Sequence, residues 1–544
     1  MKKWFSILCL ILLTAYMIFT VREDALKTFI SGKDEAEVAE MAGIAEVIGT
    51  SSQSEKTDDT LVIWYTDDAL TEYITTAALS FQAETKNRVI PKLISGVQFL
   101  EQINTASVYE GENIPDTDEI YETPDLYVTT HDNLMKAYYS GLAEPVEDQD
   151  QVLVPYNYPM TALRAVSFHD QYVAYPLYYE TNFFLYNKTY MANMAKERIE
   201  IEEDRAEGLA AEAMIDEEKL NEESKKEARE QQNPDNSEGA ETVEGLDEAA
   251  FGENEEIPMG EEDAKVEPEV LERLATMIPS TIDDILTFAN NYDAPDKVEA
   301  VFKWDVSDIF YNYFFIGNYV NVGGENGDDN TIFNIYNQQA VDCVNVYQGL
   351  NNFFSIDAKE VSYDSILNEF MDGKTVFTVA TTDAVAKIDE KKKAGEFEYE
   401  YGVAVLPDIS SLLKARGLSV TSAVAVNGYS DNKQLANEFA KYLTYDKAQD
   451  LYKKAGKIAC RKTIQNDNEE INHIMAEYEK SVSLPKMIEA SNYWVQLEIA
   501  FTRVWSGEDP DTVLKELSET IGGQISELDY HIPTQETIGA GAGM

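Results

Sequence analysis

Residues 170–191, with the sequence DQYVAYPLYYETNFFLYNKTYM, surround one glutamate with aromatic side chains. The segment contains six tyrosines and two phenylalanines, and Glu180 lies near its centre. Aromatic rings offer flat apolar faces, while an ionised carboxylate accepts hydrogen bonds and donates none. This combination suits the non-covalent binding of a ligand that carries hydroxyl groups beside C–H surfaces.

No motif for catalysis or metal binding accompanies this segment. The chain lacks a phosphate-binding GxxxxGK[ST] loop, a GxSxG nucleophile turn and an HExxH zinc-binding helix. A surface or structural role is predicted for each of the four isolated histidines: His131, His169, His473 and His531. We predict no catalytic residue, no metal and no cofactor. A carbohydrate-cleaving enzyme stays an alternative, because it needs only two facing carboxylates and the chain has many.

The composition predicts a soluble globular protein with more than one lobe. The chain has 544 residues with 100 acidic and 43 basic side chains, which gives a formal net charge of −57. Such a charge repels nucleic acid and anionic lipid surfaces, so nucleic acid is not expected as a partner. Hydrophobic residues make up 44% of the chain, which is enough for packed cores.

Three short apolar runs near the start of the globular part predict β-strands. They are LVIWY (61–65), NRVIPKLI (87–94) and PDLYVTT (124–130), and an apolar helical period separates the first two. This strand–helix–strand order implies a parallel sheet, and ligands bind beyond the carboxyl ends of such strands. Four polar side chains follow these ends: Asp67, Asp68, His131 and Asp132.

Later segments predict further elements around the same kind of core. Asn326 and Gly327 form a pair typical of a hairpin turn. YGVAVLP (401–407) and TSAVAVNG (421–428) are predicted strands, and residues 432–456 predict an amphipathic helix with a break near Tyr445.

The first 59 residues predict export and a tether. Two lysines precede the apolar run of residues 4–21, so residues 1–21 are predicted to be either a removed signal peptide or a retained signal anchor. Cys9 lies inside this run without the usual small residue before it, so lipidation is not predicted. Cys343 and Cys460 are expected to be buried thiols, with a disulfide between them as the alternative.

An acidic insertion is predicted at residues 195–275. Residues 196–270 contain 28 acidic and 8 basic side chains, with no tryptophan or tyrosine, so they cannot bury a core. Good helix formers in residues 196–230 predict an exposed helix or helical hairpin, and residues 231–263 have the composition of a disordered segment. The insertion either binds a partner or is a tolerated surface addition.

The order of six segments resembles the extracellular sugar-binding proteins of ABC importers, in the pattern of maltose-binding protein. The resemblance covers residues 60–192 and 276–527. The segments are LVIWYTDDA, TPDLYVTTHDNLMKAYYSGLAEPV, DQYVAYPLYYETNFFLYNKTYM, YGVAVLPD, NKQLANEFAKYLT and SNYWVQLEIAFTRVWSGED. It implies an α/β fold of the periplasmic-binding-protein type, in which crossing hinge strands join two lobes that close on a ligand like a clamp.

The resemblance also implies how the chain divides into lobes. A tether at residues 22–59 leads into the first lobe, and a short tail follows the second. Lobe 1 takes residues 60–178 and 422–467; lobe 2 takes 179–194, 276–421 and 468–531 and carries the insertion; 532–544 form the tail.

By the same resemblance, four residues match ligand-binding positions of the family. Glu180, Asp68 and Asp132 match carboxylates that accept hydrogen bonds from sugar hydroxyls, and Trp494 matches an aromatic platform under a sugar ring. Tyr178 lies beside the expected cleft, and either ligand contact or packing between the lobes is expected for it.

The sequence departs from the family pattern at three positions. Asp383 stands where the pattern has a tryptophan, Glu498 where it has an arginine, and Ala69 where it has a basic residue. We therefore expect a ligand site that includes Asp383 and Glu498 and differs from a maltodextrin site. Trp304 and Tyr311 are candidates for stacking from the second lobe.

The resulting functional hypothesis is an extracytoplasmic solute-binding protein, held at the membrane by its N-terminal segment. It would capture a small carbohydrate, an oligosaccharide by the resemblance, and deliver it to the permease of an ABC transporter. The alternative is a membrane-anchored sensor or scaffold that kept the same fold and presents its acidic insertion to a protein partner.

Overall fold

The computed structural model describes residues 60–115, 120–148, 150–230 and 268–528. The predicted signal segment, tether and tail lie outside the described residues, as do residues 231–267 of the acidic insertion. No helix within the described ranges has both the length and the apolar character needed to cross a membrane.

The described ranges contain thirteen strands and fifteen α-helices. The strands are β1 Thr60–Tyr65, β2 Arg88–Leu93, β3 Leu126–Thr130, β4 Ser167–Phe168, β5 Gln171–Tyr172, β6 Tyr175–Asn187, β7 Ala300–Phe302, β8 Asn321–Gly323, β9 Asp329–Asn334, β10 Thr375–Thr381, β11 Tyr401–Ala404, β12 Leu418–Val426 and β13 Val482–Ser483. The helices are α1 Thr71–Thr85, α2 Phe99–Val108, α3 Leu134–Tyr139, α4 Met160–Ala165, α5 Lys188–Glu230, α6 Pro268–Met277, α7 Ile282–Asn291, α8 Gln338–Phe354, α9 Tyr363–Met371, α10 Asp383–Lys393, α11 Lys433–Lys441, α12 Leu451–Ala455, α13 Glu470–Lys480, α14 Tyr493–Trp505 and α15 Pro510–Leu528.

The predicted parallel strands pair as expected. All six residues of β1 are buried, and β1 pairs in parallel with both β2 and β3. Full burial on both faces explains why β1 is a continuous apolar run instead of an alternating one. The carboxyl ends of β1 and β3 therefore lie at one edge of the sheet.

A nine-stranded sheet is the largest sheet among the described residues. Its main path is β2-β1-β3-β12-β6-β10-β7, with β11 and β13 attached beside β6 and β12. The first half of β6 pairs antiparallel with β12, and residues 182–186 of β6 pair antiparallel with β10. The long strand β6 therefore passes from one half of the sheet to the other, as a crossing strand must.

The sequence pattern also predicted two local features correctly. Asn326 and Gly327 lie in the turn between the antiparallel strands β8 and β9, and Gly327 has a φ of +72°, a value that favours glycine. The predicted long helix breaks where expected, because a π-helical turn, Tyr442–Asp446, follows α11. Cys343 and Cys460 are buried free thiols.

The described chain divides into two compact units. The large unit contains the residues up to Tyr186, Ser280–Glu398 and the residues from Gly402 onward; the small unit contains Asn187–Pro279 and Tyr399–Tyr401. Both predicted lobes fall mainly within the large unit, and the boundary between them stays a prediction.

The small unit is built on the acidic insertion. The first half of the insertion forms one continuous helix, α5, of 43 residues, so the alternative of a helical hairpin is wrong for residues 196–230. Helix α6 packs on α5, with Val270 and Leu274 buried, and Arg273 forms an ion pair with Glu202.

His131 has a structural role, as predicted for the isolated histidines. The ring is fully buried; its Nδ1 accepts from the Thr421 N–H at 3.1 Å, and its Nε2 lies 3.1 Å from the Leu484 carbonyl oxygen. A nitrogen that accepts carries no proton, so Nε2 is the donor. Burial lowers the pKa of His131 to about 4, which keeps the ring neutral at pH 7.

Candidate functional site

A cavity of about 540 Å³ opens beside the crossing strands of the large unit. This volume is in the range of small-ligand sites. Its lining combines carboxylates, ammonium groups and rings. The residues are Glu180, Asp308, Phe310, Tyr311, Tyr363, Asp364, Thr381, Asp383, Lys387, Val420, Lys457, Leu484 and Trp494.

Glu180 reaches this cavity because of its place in β6. Every other residue of the strand is buried, and Glu180 alone is partly exposed. Its backbone pairs with Val420 of β12, which lines the same cavity. The many rings of residues 170–191 are thus mostly packing. Tyr179, for example, stacks on Tyr478 with ring centroids 3.9 Å apart.

An ion-pair cluster surrounds the Glu180 carboxylate. The Nζ atom of Lys457 lies 3.5 Å from Glu180 Oε1 and 2.9 Å from Asp67 Oδ2. It also lies 5.1 Å from the ring centroid of Tyr178, a cation–π distance. Burial opposes the charge of Lys457, but Tyr178, Asp67 and Glu180 together outweigh it and raise the pKa of the ammonium.

Asp383 anchors a second network on another wall. Its Oδ1 accepts a hydrogen bond from the Tyr363 hydroxyl at 2.7 Å and one from the Thr381 hydroxyl. Its Oδ2 lies 2.8 Å from Lys387 Nζ, which also pairs with Asp364. Burial and the Asp383 charge raise the pKa of Tyr363, so the phenol stays protonated and donates.

Aromatic rings form the remaining wall. Trp494, in the first turn of α14, is half-buried, and its ring centroid lies 6.4 Å from those of Phe310 and Tyr313. Tyr311 stacks on Tyr363 at 4.7 Å. Trp494 therefore lines the cavity with rings packed beside it, and its role as a sugar platform stays a prediction.

A second cavity of about 400 Å³ continues from the first and shares Leu484 and Trp494 with it. Asp132 lines this second cavity, and its Oδ1 is buried without a hydrogen-bond partner in the described part of the chain. A buried acceptor without a partner costs free energy. A third cavity of about 830 Å³ shares Asp383, Lys387 and Lys457 with the first.

Three acidic side chains, Glu498, Asp308 and Asp305, lie close enough to influence one another's ionisation. Glu498 follows Trp494 by one helical turn, and burial together with the charges of Asp308 and Asp305 raises the pKa of its carboxyl. Burial and Asp305 also raise the pKa of Asp308, despite the hydrogen bond that Asp308 accepts from Phe310 N–H. No lysine or arginine of the described ranges forms an ion pair with Glu498.

This acidic group gives a prediction about stability. The folded protein disfavours ionised Glu498, so its charge destabilises the fold at neutral pH, and this cost disappears below the ordinary glutamate pKa of 4.5. We expect Glu498→Gln to raise the free energy of unfolding at pH 7 by about 0.5 to 1 kcal/mol, and by much less at pH 4. Urea unfolding at both pH values measures this. A gain of equal size at both would contradict the electrostatic cause.

The structure does not bring every sequence-predicted residue to the cleft. Glu180, Asp383 and Trp494 line the first cavity, and Asp132 lines the second. Asp68 lines none of the three cavities; it is exposed, and Oδ1 accepts from the Thr71 hydroxyl at 3.3 Å. Glu498 lines none of the three cavities, and the Tyr178 ring lies beneath Lys457.

One stacking candidate is wrong and the other is placed as expected. Trp304 is fully buried and stacks on Phe302 at 4.6 Å, so it belongs to the hydrophobic core. Tyr311 does line the cavity. Sequence reasoning missed Lys457, Lys387, Asp308 and Tyr363. The sequence did single out Asp67, directly before the predicted Asp68, and Asp67 is the acid that pairs with Lys457.

The described residues contain no cluster of three or more histidine, cysteine or carboxylate side chains that could hold a metal ion. The polar side chains that line the first cavity are carboxylates, ammonium groups, phenols and the hydroxyl of Thr381.

Comparison with solved structures shows which fold this is. A cyclo/maltodextrin-binding protein complexed with maltotetraose matches with a TM-score of 0.59 and 18% identity, covering 89% of this chain and 100% of that chain. An extracellular solute-binding protein from Staphylococcus aureus in complex with maltose matches with a TM-score of 0.60 and 17% identity, over 87% of this chain and 100% of that chain. Maltose-binding periplasmic protein MalE from Listeria monocytogenes, in complex with maltose, matches with a TM-score of 0.58 and 16% identity, covering 88% of this chain and 100% of that chain. The predicted α/β binding-protein fold is confirmed.

Comparison with protein families identifies the chain more directly. A search of curated protein sequences finds no match. A family model described as bacterial extracellular solute-binding protein matches residues 116–480, which is well over half of the chain. The protein therefore belongs to the family of bacterial extracellular solute-binding proteins.

Proposed function

We propose that the protein captures an oligosaccharide in the cleft beside β6 and β12 and delivers it to the permease of an ABC transporter. The observation that carries this proposal is the lining of the first cavity. There the Glu180 and Asp383 carboxylates face the same space as the Trp494 ring. Sugars present both hydroxyl donors and apolar C–H faces, and this lining offers a partner to each.

The polar groups favour a hydroxylated ligand over an apolar one. Lys457 and Lys387 supply N–H donors, while Glu180 and Asp383 supply acceptors. A hydroxyl donates one hydrogen bond and accepts others, so it satisfies both kinds of group at once. An apolar ligand would leave these groups desolvated and unpaired.

The arrangement of the cavities supports an oligosaccharide over a single sugar. The first cavity shares lining residues with both the second and the third, so a ligand of several sugar units could extend from the first cavity into its neighbours. Trp494 borders two of the three, which suits a platform under a central ring. Asp132 adds a carboxylate to the lining of the second cavity.

We infer that the ligand differs from maltose, although three structural neighbours were solved with maltose or maltotetraose. Asp383 holds a polar network where the resemblance leads one to expect a ring, and Glu498 and Ala69 stand where basic residues are expected. Fewer platforms and more acceptors favour a ligand held more by hydroxyl groups than by stacking.

Isothermal titration calorimetry of the exported part of the chain tests this proposal. The panel contains neutral tetrasaccharides, including maltotetraose, together with an acidic tetrasaccharide built of uronic acids. We expect at least one neutral member to bind with a Kd well below 1 mM, and its recovery uncleaved after long incubation supports a binding protein. Absence of binding by every member at millimolar concentration would sink the carbohydrate assignment, and cleavage would favour the enzyme alternative.

The acidic insertion offers a test between transport and the scaffold alternative. Its helix α5 belongs to the small unit, whereas all three cavities belong to the large unit. We therefore expect deletion of residues 196–270 to leave oligosaccharide affinity within about twofold, because no described residue of the insertion lines any of the three cavities. Calorimetry on the deleted protein measures this. If the same deletion abolishes the binding of a protein partner in a pull-down from membranes, this result supports the scaffold alternative.

The membrane and export proposals rest on the N-terminal segment. We propose that residues 1–21 direct export and that the tether keeps the protein near its permease. Fractionation of cells that produce the protein, followed by mass determination of its N-terminus, distinguishes a removed signal peptide from a retained anchor.

A further inference from the structure

Lys457 contacts two carboxylates and one aromatic ring. Its Nζ atom is 2.9 Å from Asp67 Oδ2 and 3.5 Å from Glu180 Oε1, and it lies over the Tyr178 ring. The Lys457 side chain is 19% exposed, compared with 44% for Glu180. The lysine is thus mostly enclosed, while the carboxylate it contacts still faces the cavity.

The backbone explains how a residue so late in the chain reaches β6. Gly456 ends α12 with a φ of +63° and turns the chain toward the sheet. Tyr179 N–H then donates to the Ile458 carbonyl at 3.3 Å, and Cys460 N–H donates to the Leu177 carbonyl at 3.0 Å. Residues 458–460 therefore run along the strand that carries Glu180, and Lys457 is fixed at the start of this contact.

We propose that Lys457 is a positioning residue that holds the Glu180 carboxylate toward a ligand hydroxyl and donates a remaining N–H to the same hydroxyl. An ammonium group has three N–H donors, and Asp67 and Glu180 engage two. Because Lys457 lines the cavity, the third is within reach of a bound group. This inference rests on the proposed carbohydrate function and specifies what one subsite recognises.

The charges at this subsite also select the ligand class. Two carboxylates share one ammonium, so the cluster carries a net charge of one negative unit. A carboxylated sugar placed there would be repelled, whereas a neutral hydroxyl donates to Glu180 and accepts from Lys457. The subsite therefore takes a neutral sugar hydroxyl and rejects a uronic acid.

The test uses Lys457→Met, which keeps the length of the side chain and removes its charge and donors. We expect it to weaken binding of the best neutral tetrasaccharide about 10- to 50-fold, as for loss of a charge-assisted hydrogen bond. Lys441→Met is the matched control. Lys441 also bridges two carboxylates, at 2.6 Å from Asp150 and 3.5 Å from Asp446, but it borders none of the three cavities. The control should stay within twofold.

Rescue separates positioning from a merely structural role. Ala69 lines the third cavity together with Lys457, and its N–H donates to Asp67 Oδ1 at 3.1 Å. A lysine at position 69 would place a new ammonium beside Asp67. We therefore expect Ala69→Lys in the Lys457→Met background to restore at least a third of the lost affinity on a logarithmic scale, and Lys457→Arg alone to lose less than Lys457→Met.

Crystal structures of the unliganded variants complete the test without any ligand. We expect the Glu180 carboxylate to move in Lys457→Met and to stay in place in Lys441→Met. An unmoved carboxylate, or an affinity within twofold of the original protein, would overturn the positioning role. If Lys457→Met does not fold, Lys457→Gln takes its place. Failure of every saccharide to bind the original protein would instead overturn the proposed function, and the crystal structures would still decide the positioning.

Discussion

Replacing Trp494 with alanine is expected to weaken oligosaccharide binding by about 1.5 to 3 kcal/mol, the scale of burying a large apolar side chain. The ring borders two cavities and is backed by Phe310 and Tyr313. It is therefore already held in place before a sugar arrives, and its stacking energy appears as affinity. Calorimetry with the best-binding tetrasaccharide measures the loss.

Stability should change less than affinity in this variant. Trp494 is only half-buried, so its removal exposes less core than the loss of the fully buried Trp304 would. Trp494→Phe keeps a flat ring and should recover part of the affinity. Val495→Ala is the matched control, because Val495 is the next residue of α14 and is 57% exposed. A lower melting temperature with unchanged affinity would show that Trp494 only packs.

Glu180→Gln is expected to weaken binding by about 1.5 to 3 kcal/mol, the usual value of a charge-assisted hydrogen bond. Glutamine keeps the size of the side chain but loses the charge that accepts ligand hydroxyls and pairs with Lys457. The free energy of unfolding should fall by no more than about 1 kcal/mol, because the Glu180 side chain is 44% exposed and its ion pair is screened by water.

A control of the same chemistry is available outside the cleft. Glu144 pairs with Lys433 at 3.2 Å, and both side chains are 39% exposed. Glu144→Gln should match Glu180→Gln in stability and leave affinity unchanged. If Glu180→Gln lost stability alone and bound the ligand as the original protein does, Glu180 would be an inert residue of the crossing strand.

Local sequence patterns predicted much of the fold for identifiable reasons. The strands β1, β2 and β3 are short segments separated by helical segments, and the continuous apolar run of β1 reflects burial on both of its faces. The hairpin turn at Asn326 and Gly327 depends on a backbone conformation that only a few residue types favour. These features are properties of neighbouring residues, so the sequence is sufficient to reveal them.

The crossing strand is an intermediate case. The aromatic segment around Glu180 predicted a strand beside a cleft by resemblance, but its rings do not all serve the ligand. Tyr179 packs against Tyr478, which belongs to α13 far along the chain. Only the pairing of β6 with β12 and β10 shows that Glu180 is the one residue of the strand that faces open space.

By itself, the sequence determined the strand–helix order, the acidic composition of the insertion and the candidates Glu180 and Trp494. The tertiary structure decided which of many charged and aromatic residues meet in the cleft. Lys457 is one of several lysines near the end of α12, and nothing in its local sequence distinguishes it; backbone hydrogen bonds to β6 place it against Glu180. Trp304 is a residue type that can serve as a platform under a sugar ring, but its side chain lies in the core. Side chains distant in sequence converge only through long-range strand pairing and packing, which local residue patterns do not specify.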